Sequence, residues 1–166
     1  MVDKSKLGAL AAKITRIVPG IDSYQEKECL RNIDKQLRNQ LADLLTRARD
    51  HIEEVERRYA RQGNLEPLDD LDRLTRTMQR LSDTIRHAAY GWSPVFDEAS
   101  VDKQRLEQIH SFDQSLEDTI IAVHAEVEKL SAASTGDLDA AIRHVERSLS
   151  SLEEMVEERD CIMRAR

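Results

Sequence analysis

The sequence predicts an all-α protein: an elongated antiparallel bundle of four main helices, running up and down, with a short amphipathic helix in front of it. Three observations carry this reading. Charged residues make up 34% of the 166 residues, glycines and prolines number only 5 and 3, and the apolar residues (40%) recur at spacings of three and four. A chain of this size fits one domain with its own core. It divides into residues 1–18, a basic amphipathic helix, and residues 19–166, the bundle.

Leu7, Leu10, Ala11, Ile14, Ile17 and Val18 fall on one helical face among lysines, and Pro19-Gly20 stops that helix. Asp22 then offers a capping carboxylate, with Gln25 placed to return the bond. From there an apolar series through Leu30, Ile33, Leu37, Leu41, Leu45, Ile52, Val55 and Tyr59 predicts a helix to about Gln62, roughly 60 Å long. Gly63-Asn64 ends it, and Pro67 suits the first turn of the next.

The third segment, Leu68, Leu71, Leu74, Met78, Leu81, Ile85 and Ala88, alternates threes and fours like a heptad. Ser100 is placed to cap a fourth, carrying Ile109, Phe112, Leu116, Ile120, Val123, Val127 and Leu130 up to a turn at SAASTG. Leu138, Ile142, Val145, Leu149, Leu152 and Val156 form the last, expected to fray over residues 159–166. Short connections favour antiparallel neighbours. Beyond this shared heptad texture no internal repeat is visible.

The formal net charge is −7, unevenly spread. Lys4, Lys6, Lys13 and Arg16 outweigh Asp3 at the N-terminus, whereas residues 97–166 hold seventeen acids against eight bases. Such an acidic body repels phosphate, so nucleic acid is not an expected partner, and only residues 4–18 suit an anionic membrane surface. No apolar run of about eighteen residues spans a membrane. The N-terminus has no signal-peptide pattern, so the expected location is cytoplasmic, with peripheral membrane contact as the variant. Cys29 and Cys161 form no paired motif and are expected as free thiols.

No catalytic constellation emerges. A di-iron bundle needs two Glu-x-x-His pairs, and only Glu107 and His110 supply one. Zinc-protease spacing, phosphate-binding glycine loops and nucleophile elbows are absent. Glu153, Glu154, Glu157 and Glu158 lack the loop spacing of a calcium site and read as a solvated face. Arg57, Arg58 and Arg61 read as complements to a helix C-terminus. The expectation is no cofactor, no metal, no small-molecule substrate and no enzymatic activity.

Aromatic residues are scarce, yet Tyr90, Trp92 and Phe96 crowd into YGWSPVF. Gly91 suits a left-handed helix cap and Pro94 delays a restart. The stretch reads as a corner joining two antiparallel helices, its aromatics plugging the open end of the apolar seam, or else as a binding hot spot.

The stretches IVPGIDSYQEKECLRNIDKQLRNQL, LDDLDRLTRTMQRLSDTIRHAAYGWSPVFD and LEQIHSFDQSLED together resemble an uncharacterised family of bacterial all-helical proteins. Its members read VPGI-x-x-Y-x-x-KE near the start, carry a YG-aromatic-x-x-x-FD turn and show a later aromatic-Asp pair, matched here by Phe112-Asp113. The resemblance covers residues 17–118 and implies a helical domain without recognised enzymatic activity, linked to membrane-stress or scaffold systems. The resulting expectation is a scaffold or adaptor that binds a protein partner or itself, with Leu7, Leu10, Ile14, Tyr90, Trp92 and Phe96 as the candidate contact residues. The alternative is a membrane-associated adaptor working through residues 4–18; the remote one is a metal-dependent enzyme. A homodimer is expected through apolar surface at Leu30, Ile33, Leu37 and Leu41, because the first long helix outreaches the second.

Overall fold

The computed structural model describes residues 24–87, 103–134 and 136–164. They form four helices and no strand: α1 (Tyr24–Arg61), α2 (Leu68–His87), α3 (Lys103–Ala132) and α4 (Leu138–Arg164). The expected N-terminal helix, the Asp22 cap and the YGWSPVF corner lie outside the described residues. None of the described helices is long and apolar enough to cross a membrane.

Each hairpin turn is explained by its own residues. Gly63 has φ of 72°, the left-handed conformation that costs glycine least. It lets the Asn64 amide bond the Tyr59 carbonyl (3.1 Å) and the Gly63 amide bond Ala60 (3.1 Å), the paired bonds of a Schellman cap. Pro67, which has no amide hydrogen to lose, starts α2, its carbonyl accepting from the Leu71 amide at 3.1 Å. Asp69 and Asp70 in the first turn and Arg86 and His87 in the last complement the helix dipole. In the second turn Asp137 accepts the Ala141 amide at 3.0 Å while its side chain takes the Ser134 hydroxyl at 2.6 Å.

The hairpins α1–α2 and α3–α4 are antiparallel. Asp43 faces Arg86, Thr46 faces Ser82 and Glu56 faces Thr75; in the second hairpin Asp113 faces Arg159 and Glu126 faces Ser148. The hairpins themselves lie side by side in parallel. Arg58 bonds the Ser131 carbonyl and Arg73 reaches Glu146, each pair separated by 73 residues, and His51 with His124 and Arg80 with Glu153 keep the same step. The order around the bundle is therefore α1, α2, α4, α3, with main packing along those four sides. Directions alternate up and down as expected. However, α2 and α3 sit diagonally rather than as neighbours, and the YGWSPVF stretch between them lies outside the described residues.

Core residues repeat this arrangement. Leu41, Leu45, Ala48, Ile52 and Val55 of α1 have the spacing of Leu116, Ile120, Val123, Val127 and Leu130 of α3, and all are buried. Leu71, Leu74, Met78, Leu81 and Ile85 of α2 have the spacing of Ile142, Val145, Leu149, Leu152 and Val156 of α4. The shared heptad texture of the sequence is thus one hairpin packed twice.

Two expectations are corrected. Leu37 and Leu41 offer no dimerisation surface, since they are 3% and 1% exposed and belong to the core cluster. Being parallel to α1, α3 continues alongside it beyond the point where α2 stops. Leu30 and Ile33 lie outside the described side chains. Nor does α4 fray at Arg159: the helix runs to Arg164, and Arg159 is itself buried against α3.

Candidate functional site

The structure describes none of the six candidate contact residues: Leu7, Leu10, Ile14, Tyr90, Trp92 and Phe96 all lie outside its residues. It does locate the helix ends to which their segments attach. The start of α1 at Tyr24, the end of α2 at His87, the start of α3 at Lys103 and the end of α4 at Arg164 share one pole of the bundle. The two short turns occupy the other.

Near this pole the apolar seam turns charged. Extending the core spacing by one step from Leu41, Leu116 and Val156 reaches Arg38, Asp113 and Arg159, all buried. Arg159 donates from Nε to Asp113 Oδ1 at 2.7 Å and from Nη2 to Oδ2 at 3.4 Å, a two-pronged contact suited to guanidinium and carboxylate. Arg38 donates from Nη1 to the Arg86 carbonyl at 3.4 Å, serving the last turn of α2, while Arg86 bonds Asp43 at 2.8 Å. Sequence reasoning placed Phe112 on the apolar stripe. The structure puts Asp113 on the core face and leaves Phe112 half-buried. The available signal was the heptad itself, which lands on charged residues at three corresponding positions.

Toward the opposite pole, α1 and α3 border an open groove of about 750 Å³. His51, Glu54, Arg57, Arg58, Arg61, Glu128 and Ser131 line it. The His51 and His124 rings meet there edge to face, with centroids 5.5 Å apart and planes inclined by 62°. Burial pushes the His124 imidazole below the usual histidine range; Glu128, 3.7 Å from Nδ1, pulls it upward and His51 pushes it further down. Two groove groups are already engaged: Arg58 donates to the Ser131 carbonyl at 3.0 Å, and the Ser131 hydroxyl donates to Val127 at 2.9 Å. Arg57 reaches back to Glu53 at 3.7 Å.

The acidic run on α4 is a charged outer face. Glu153 bridges to Arg80 at 2.5 Å, which holds its carboxyl below the ordinary range, and Glu154, Glu157 and Glu158 are exposed. Glu107 and His110 lie outside the described side chains, and among the described residues no group of three potential ligands is placed to hold a metal. Cys161 is free and exposed. Leu65 is the single large hydrophobic residue exposed among those described, at 67%. No protein-family model, curated protein or solved structure matches the chain.

Proposed function

We propose that this is a non-enzymatic helical adaptor of the cytoplasm, acting by binding a protein partner or a second copy of itself at the pole where its helix ends meet. One observation carries the reading: the segments holding all six candidate contact residues attach to helix ends at that pole. Elsewhere the described outer surface is polar and charged, with Leu65 the single exposed large hydrophobic residue, and offers no apolar stripe for a partner helix. In this reading Trp92, Tyr90 and Phe96 supply the aromatic anchors that dominate binding sites, and Leu7, Leu10 and Ile14 supply a helical face. The resemblance to uncharacterised bacterial helical proteins adds no catalytic residue.

Crosslinking and capture from the native cell, with the full chain and with Trp92→Ala, tests the proposal. A partner or a self-crosslink lost in the variant is expected. A monomeric mass by light scattering at tens of micromolar, together with an unchanged capture pattern, would overturn it.

A second reading draws on the surplus of lysine and arginine within residues 4–18, which suits an anionic bilayer. Sedimentation with vesicles of graded anionic lipid content decides it. Binding that survives deletion of residues 1–18, or no binding at all, would eliminate it.

A further inference from the structure

The two seams between the hairpins are closed by different chemistry. On the α2–α4 side Arg73 reaches Glu146 and Arg80 reaches Glu153. Guanidinium stays charged throughout, and a bridged carboxylate stays ionised in mild acid. Level with them on the α1–α3 side no carboxylate bridges the seam: the imidazoles of His51 and His124 meet across it, and nearer the turns Arg58 donates to the Ser131 carbonyl. His124 is only 9% exposed, and behind the rings lie the buried side chains of Ala48, Ile52, Val123 and Val127. Among the described residues the charged groups acting on His124 are Arg47 and His51 from α1 and Glu128 from its own helix. Glu128 is the single anion of the three, and it is 58% exposed, so water screens what it offers.

We propose that His51 and His124 form a pH-sensitive clasp between the hairpins: acidification loosens the α1–α3 seam while the arginine–glutamate bridges hold the α2–α4 seam, so the bundle opens on one side. In the closed form the first proton must be taken up by a ring packed edge-on against another imidazole, with Arg47 nearby. A second would set two cations against each other. In the open form both rings are hydrated, and His124 escapes the burial that holds it below the ordinary histidine range. The open form therefore binds more protons, and falling pH favours it from that range downward until the closed form is protonated as well. Within the window each extra proton shifts the equilibrium toward opening by about tenfold per pH unit.

Hydrogen exchange of the full chain at about pH 7.5 and about pH 5.5, corrected for intrinsic rates, reads this directly. Amides of 48–59 and 123–131 should lose protection on acidification while those of 71–85 and 142–156 keep theirs. The double variant His51→Phe/His124→Phe, which keeps the rings and removes the protons, should erase the difference. Uniform loss across all four helices, or an unchanged difference in the variant, would overturn the proposal. If the variant does not fold, imidazole proton resonances of the natural chain decide: His124 must titrate below the ordinary histidine range, and titration within that range rejects the clasp.

Discussion

Replacing Asp113 with alanine should destabilise the bundle by about 3–5 kcal/mol, the usual consequence of removing one partner from a buried ion pair. Asp113 and Arg159 are 5% and 6% exposed, so water does not screen their contact. The substitution removes both bonds, at 2.7 and 3.4 Å, that the guanidinium makes to this carboxylate. Against a total stability of roughly 5–15 kcal/mol for a domain, such a loss is large. Urea unfolding followed by far-UV circular dichroism measures it as a shift in midpoint at constant slope. A loss below about 1 kcal/mol for Asp113→Ala would refute the reasoning, since the pair would then be behaving as a hydrated one.

Three further outcomes are expected. Gly63→Ala should cost about 1 kcal/mol in thermal unfolding through backbone strain alone, since no atom lies within 4 Å of the added Cβ; Gly136→Ala, at a glycine without positive φ, should stay within about 0.5 kcal/mol. Ile52→Ala should cost about 2–5 kcal/mol, because the side chain is fully buried and the neighbouring layers restrict collapse. The stability difference between Arg80→Met and the natural chain should fade as pH falls and as salt rises. Glu153 has a depressed folded value, so its contribution is present above its unfolded value and lost as pH drops through the folded one; a difference that persists at about pH 2 and in about 1 M salt would count against the bridge.

Heptad spacing was enough to read all four helices, and their ends were legible wherever turn chemistry was explicit, as at Gly63 and Pro67. Ring order was not legible, because spacing says which face of a helix is buried and nothing about which helix covers it. The same limit explains Leu37 and Leu41: comparing α1 with α2 in length suggests uncovered surface, whereas both side chains are buried in the core cluster. Asp113 and Arg159 are hidden in the sequence for a different reason. An apolar stripe continues most simply to the next apolar residue, Phe112, although the three-and-four spacing ends on its charged neighbour Asp113. The His51–His124 contact leaves no trace in sequence, being set by the parallel register of two helices that belong to different hairpins.

Side-by-side stacking of the hairpins makes their order along the chain immaterial to the packing. Either hairpin presents the same core spacing, and the chain crosses between the hairpins at the pole that also holds the start of α1 and the end of α4. A circularly permuted chain that links Arg164 to Tyr24 through a flexible tether and begins at Lys103 would keep every seam and both short turns. For the same reason the α1–α2 half of one molecule is a geometric match for the α3–α4 half of another, so exchange of halves between chains rebuilds the bundle without a new interface.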